Sequence, residues 1–157
     1  GTGDIHLTLA QQVPLSAAVI VTTPQTIATA DAKKGIAMFE KLDIPVLGIV
    51  ENMSYFECKC GEKSYPFSQG GSMLLAEQHG TEVLGELPLS NDIREHADNG
   101  KPVVNALPQS NVTSIYQSIA RKVSIKVGTT LQSHQLTRDQ TTAEGKNGVN
   151  IQVVNKS

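Results

Sequence analysis

Apolar residues along this chain alternate between short unbroken runs and stretches with a repeat of three to four residues. The unbroken runs, AAVIV within residues 17–23 and VLGIV at 46–50, predict strands covered on both faces. A third strand is predicted from Glu82 to Leu87, ended by Pro88. Pro24 closes the first run, and an Asp43-Ile44-Pro45 turn leads into the second.

Helical spacing fills the intervals. Ile5, Leu9 and Val13 recur every four residues behind Asp4, which predicts a short helix capped by Asp4 and ended by Pro14. A helix of about four turns is predicted from Ile27 to Leu42, with Ala28, Ala32, Gly35, Ile36, Phe39 and Leu42 as its inward stripe. Ser72 to His79 predicts a short helix stopped by Gly80. Residues 90–99 predict another, capped by Ser90 or Asn91 and closed by Gly100. The last helix is predicted from Asn111 to Lys126, with Val112, Ile115, Tyr116, Ile119, Ala120 and Val123 on one face. From Gly128 onward Thr, Gln, Asn, Ser and Gly dominate, and so little apolar surface cannot offset the entropy of ordering. A disordered tail is expected over 128–157.

Strands alternating with helices predict an α/β fold: a parallel sheet with flanking helices and right-handed crossovers. The expected organisation is one domain over residues 1–127, with an insertion at about 53–67, followed by the tail. Three strands make a small sheet of this kind. The chain also opens inside a glycine-rich loop without an initiating Met, and both features read as the C-terminal part of a larger domain.

Composition narrows the function classes. A formal net charge of −2 offers no basic groove for nucleic acid and no attraction to an anionic membrane. The longest apolar run, Ala17–Val21, is far short of the roughly 20 residues that span a bilayer. No basic and apolar leader opens the sequence, so a cytoplasmic protein is expected. The two cysteines are too few for a disulfide framework, and a close pair reads first as metal or redox chemistry.

Ligands bind at the carboxyl ends of the strands in open α/β sheets. The second strand delivers Glu51 and Asn52 to that end, then Cys58 and Cys60. The Asn52 amide offers a donor and an acceptor side by side, which matches the N6/N7 edge of adenine; it equally suits a turn cap through its own backbone. Gly1-Thr2-Gly3-Asp4 has the form of a phosphate-sensing loop before a helix N-terminus, or of an ordinary loop. In Cys58-Lys59-Cys60-Gly61, two thiolates suit zinc or an iron–sulfur cluster, and both usually take about four ligands. His6, His79, His96 and His134 have no ligand spacing to this pair, so further ligands come most simply from a second copy of the chain. A redox dithiol, or loop cysteines without a role, are the other readings. No serine, histidine and aspartate order stands out, and no catalytic residue is assigned.

Together these segments resemble the Mrp/ApbC family of P-loop ATPases, iron–sulfur cluster carriers related to MinD. The resemblance rests on GTGDIHLTLAQ at 1–11, TTPQ at 22–25, DAKKGIAMFEK at 31–41, GIVENMSYF at 48–56, the cysteine pair before Gly61, and GELPL at 85–89. It implies that Gly1, Gly3 and Asp4 end a switch segment facing the γ-phosphate of ATP. It implies that Asn52 binds adenine, that the loop around Pro88 packs on the base, and that Cys58 and Cys60 bind the cluster. It further implies a homodimer with a bridging [4Fe-4S] cluster, passed to apo iron–sulfur proteins with the help of ATP and Mg2+. The chain departs from the family in having one residue between its cysteines, where the family usually has two. It also lacks the glycine-rich loop with its Lys and Ser/Thr, so ATP hydrolysis is expected of a full-length protein and not of this chain. The competing classes are a zinc-stabilised interaction module and a MinD/ParA-like positioning ATPase. The latter calls for a basic amphipathic terminal helix that the sequence does not show.

Overall fold

The computed structural model describes the backbone of residues 3–144 and the side chains of 3–130 apart from His6. In chain order the elements are α1 (Asp4–Gln12), β1 (Ala18–Thr22), α2 (Thr26–Lys41), β2 (Val46–Glu51), β3 (Phe56–Glu57) and β4 (Lys63–Ser64). They continue with α3 (Gly71–Gln78), β5 (Val83–Glu86), α4 (Asn91–Asp98), α5 (Val103–Ala106) and α6 (Asn111–Glu144). Parallel pairing joins the main sheet in the order β1-β2-β5, while β3 and β4 make a separate antiparallel hairpin.

The central strand explains its own composition. Successive side chains of β2 point to opposite faces, and both faces are covered. Ile49 joins Ile20, Ile36, Leu75 and Ala76 beneath α2 and α3. Val50 joins Leu84, Leu87 and Ile119 beneath α6. A strand between two cores has no polar face to show, hence the unbroken apolar run. The helix α6 sits directly on β5: a Cβ on Gly85 would lie 2.5 Å from Ile119 Cγ1. Lys122 Nζ then donates to Leu84 O at 2.8 Å, and Lys126 pairs with Glu82 at 3.0 Å.

Several expectations are corrected. The strand β1 lies at a sheet edge, with Val21 64% exposed, so it is not covered on both faces. Gly3, rather than Asp4, is the N-cap residue of α1; Asp4 is the first helical residue, where its charge complements the helix dipole. The apolar stripe of α1 is exposed at Ile5, Leu9 and Val13. Two short pieces were not expected: α5, and the β3–β4 hairpin inside the insertion.

The last helix runs to Glu144, past its expected end at Lys126, so residues 128–144 of the expected disordered tail are helical. The physical reason is local. Backbone hydrogen bonding within a helix needs no core, and after Gly128 the sequence holds no proline to interrupt it. The remainder of the expected tail, 145–157, lies outside the described residues.

Candidate functional site at the end of the central strand

Beyond Glu51 the chain turns sharply. Asn52 N–H donates to Thr22 O at 2.7 Å, and Asn52 Oδ1 accepts from Met53 N at 2.9 Å. Met53 takes a positive φ of 53°, a region that costs a non-glycine residue about 1 kcal/mol or more. One Asn52 oxygen lone pair is used in this turn. The second lone pair and both amide hydrogens stay available, so the turn cap and the base-edge role are compatible.

A cavity of about 460 Å³ opens over this turn. Asn52, Met53 and Phe56 form one wall, Pro88 and Leu89 the second, and Ile93 of α4 the third. Ser90 Oγ, accepting from Asp92 N at 3.2 Å, caps α4 and fixes that third wall. The volume suits a small heterocyclic ligand, and the lining is largely apolar with one convergent amide, as such sites usually are.

The cysteines occupy the tip of the hairpin. Phe56 pairs with Ser64 and Glu57 with Lys63, and Cys58 N–H closes the loop on Glu62 O at 3.0 Å. Gly61 N–H donates to Cys58 O at 2.9 Å with Gly61 at φ +85°, the form of a three-residue hairpin loop with glycine in the left-handed position. Cys58 and Cys60 are joined as a disulfide, with their Cα atoms 5.3 Å apart. Both sulfurs therefore converge on one point despite the single intervening residue. Cys60 N–H also donates to Cys58 Sγ at 3.2 Å, within the same tight turn. Lys63 lies over the Tyr55 ring at 4.2 Å and braces the hairpin stem.

Sequence reasoning missed the role of Glu51. This carboxylate is 2% exposed. Its Oε1 accepts from Ser54 Oγ at 2.6 Å, and its Oε2 accepts from Ser72 N at 3.1 Å and from Ser72 Oγ. Ser72 lies in the first turn of α3, whose N-cap, Gly70, has no side chain to offer. Glu51 thus supplies the missing cap from another element. The available signal was a carboxylate ending an otherwise apolar strand, since such a charge must find donors.

Of the residues singled out by sequence, Asn52 and Pro88 meet on one cavity. Cys58 and Cys60 stand outside it, just past the end of the strand that begins at Phe56, which is part of its wall. Gly3 and Asp4 are exposed and do not line it, and Gly1 lies outside the described residues. Among the described residues no three His, Cys, Asp or Glu side chains gather to hold a metal ion. Cys58 and Cys60 therefore supply half of an ordinary cluster or zinc site, and they do so only as the reduced dithiol. No helix among the described residues is long and apolar enough to cross a membrane.

Parallel strands, helices on both faces and a cavity at the strand ends define an α/β protein of the P-loop NTPase class, the class of its structural neighbours. The chain belongs to the family of NUBPL iron-transfer P-loop NTPases, whose ParA model matches residues 1–124. It is 56% identical over 121 residues to an iron-sulfur cluster carrier protein of Pseudomonas fragi, covering 76% of this chain and 42% of that protein. It is 52% identical over 128 residues to the iron-sulfur cluster carrier protein of Escherichia coli K12, covering 81% and 35%. The iron-sulfur cluster transfer protein NUBPL of Mus musculus is 48% identical over 124 residues, covering 78% and 39%. The chain thus spans only about two fifths of the length of these relatives. Among solved structures, the ADP complex of a nucleotide-binding protein from Archaeoglobus fulgidus is 44% identical with a TM-score of 0.58, covering 64% of this chain and 42% of that one. The septum site-determining protein MinD of Pyrococcus horikoshii, complexed with Mg-ADP, shares the fold at 22% identity and a TM-score of 0.56, covering 73% and 44%.

Proposed function

We propose that this chain is the base-binding and cysteine-bearing part of a nucleotide-dependent iron–sulfur cluster carrier. The observation that carries the reading is that base cavity and cysteine hairpin grow from one strand end: Asn52 follows β2 directly, and Phe56 is both cavity wall and hairpin strand. Asn52 reads the adenine edge and Pro88 packs on the base. Gly1, Gly3 and Asp4 belong to the phosphate-facing segment of the whole ATPase, where Mg2+ and hydrolysis also belong. The cluster is cargo. Two thiolates from each of two chains give the four ligands of a bridging [4Fe-4S] cluster, and the dimer hands it to apo iron–sulfur proteins in the cytoplasm.

The relatives' names support the carrier role, and the ADP in the Archaeoglobus fulgidus structure supports the nucleotide. The test is anaerobic reconstitution of the reduced chain with ferrous iron and sulfide, read by visible absorption and by mass on size exclusion. The reading expects cluster and dimer to appear together, and Cys60→Ser to abolish both. A monomer holding a complete cluster would refute the bridging arrangement. No cluster on chains whose thiols are shown to be reduced would refute the carrier reading. Zinc bound in preference to iron under the same conditions would support the interaction module in its place.

A further inference from the structure

We propose that Glu51 is the positioning residue of the cysteine hairpin. One buried carboxylate holds the segment that enters the hairpin, at Ser54, and the helix that follows it, at Ser72, and so sets the geometry in which Cys58 and Cys60 are presented. The inference deepens the carrier reading and rests on it for the purpose that the geometry serves.

The hairpin cannot orient itself. Each of its strands is two residues long and exposed, and an isolated hairpin of that size is marginal in water. Its direction is therefore set at its roots. The entering root is Ser54 and Tyr55, both buried; Ser54 N–H donates to Leu87 O at 2.9 Å, and Tyr55 O accepts from Leu89 N at 2.7 Å. On the leaving side, residues 65–70 run from Ser64 to the start of α3, where a Cβ on Gly71 would lie 2.5 Å from Pro24 O. Glu51 touches both, through Ser54 Oγ on one side and the Ser72 N–H and hydroxyl on the other.

The chemistry of the position argues the same way. Among the described residues no cation pairs with Glu51, so three hydrogen bonds and the dipole of α3 are its compensation. An apolar side chain would end a core strand at less desolvation cost. A charge retained here fixes geometry: both donors must face it, and they arrive from the chain before and after the hairpin. Asn52 is the next residue, so the base contact and the hairpin anchor share one strand end.

The experiment uses the 157-residue chain and the variants Glu51→Gln and Ser54→Ala. Gln turns an amide toward donors that need an acceptor, whereas Ser54→Ala removes only the entering contact and serves if the first variant folds poorly. Two readouts are followed. The first is the equilibrium in which two glutathione thiols reduce the Cys58–Cys60 disulfide, giving the dithiol and one oxidised glutathione. The second is hydrogen exchange at Cys58 and Gly61, whose amides close the hairpin loop, against Ile49 and Val50 in the core. Glu51→Gln should shift the equilibrium constant about tenfold toward the dithiol and speed hairpin exchange by a similar factor. Core protection should hold, and Ser54→Ala should shift both readouts the same way by less. Values within about twofold of the parent in folded Glu51→Gln would overturn the proposal. So would core amides loosening as much as the hairpin in both variants, which is the signature of general destabilisation. Neither readout involves iron: a parent chain that takes up no cluster sinks the carrier reading and leaves this one standing, and an unmoved hairpin does the reverse.

Discussion

Replacing Gly71 by Ala, beside the control Gly35→Ala, measures how tightly the start of α3 is held. A Cβ on Gly71 falls 2.5 Å from Pro24 O, 3.2 Å from the Pro24 carbonyl carbon and 3.3 Å from Thr29 Cγ2. The nearest obstacle is backbone at the exit of β1, and Pro24 is fully buried, so it cannot yield cheaply. Relief must come from α3, which pulls Ser72 N away from Glu51, now 3.1 Å distant. Overpacking of this kind costs about 1–3 kcal/mol. A weakened hydrogen bond to a charge adds about 1 kcal/mol, and better helix propensity returns less than that. The expected loss is about 2–3 kcal/mol. With a urea slope of about 1–3 kcal/mol per molar, the unfolding midpoint should fall by roughly 1 M or more. Gly35 sits inside α2 with nothing within 4 Å of its would-be Cβ, so Ala there should gain about 0.5–1 kcal/mol and raise the midpoint. The assay is urea unfolding by circular dichroism with slopes compared. A Gly71→Ala midpoint at or above that of the parent, or a Gly35→Ala loss as large, would show that the start of α3 is not pressed on the Pro24 backbone as described.

Three further outcomes are expected. In a chain extended to include a phosphate-binding loop, Asn52→Ala should weaken ATP more than GTP, by about 1–3 kcal/mol at most, as read by calorimetry; equal losses would remove the base-edge role. The 157-residue chain should show no magnesium-dependent ATP hydrolysis above background, because its sequence holds no glycine-rich loop ending in Gly-Lys-Ser or Gly-Lys-Thr; measurable turnover by purified protein would contradict this. Burial raises the Tyr116 phenol above its ordinary 10.0. The folded state then holds its proton to higher pH than the unfolded one, so its contribution to stability is complete below about pH 10 and is lost as pH climbs through the raised value. Thermal unfolding across that range should show a fall for the parent that Tyr116→Phe lessens, and an unchanged fall would place its cause elsewhere.

Deleting residues 130–157 should leave the fold intact, since the apolar face of α6 against the sheet ends with Val123 and the Lys126–Glu82 pair comes before the cut. Loss of the circular dichroism spectrum on deletion would refute that boundary.

What could be read from the sequence follows how local each signal is. The strand β2 was legible because burial on both faces leaves a short apolar run bounded by turn residues, although β1 shows that such a run does not require burial on both faces. Asn52 stood out because it follows a strand end, whereas Pro88 was joined to it only by the family resemblance; both line one cavity. The hairpin could not be read, because two-residue strands carry no periodicity and their pairing rests on one loop glycine, Gly61, at φ +85°. Glu51 looked like the polar residue that closes a strand, since its donors, Ser54 and Ser72, become its neighbours only once α3 has packed. The exposure of Val21 depends on which strand lies at the edge, which is a property of topology and not of the run itself. The extension of α6 was missed because absent apolar periodicity was read as absent structure.

The hairpin's anchorage separates two tolerances to a change of length. The segments that enter and leave it are bonded into the core at Ser54 and Ser72, whereas its tip is held only by contacts within the tip itself: the Cys58–Glu62 and Gly61–Cys58 backbone bonds and the Cys58–Cys60 disulfide. Adding or removing one residue at the tip leaves the Phe56–Ser64 pairing and both roots untouched, and the entropy of a loop grows only slowly with its length. The spacing of the two cysteines is therefore set apart from the contacts that fold the chain, and a change in it bears first on what the two sulfurs grasp.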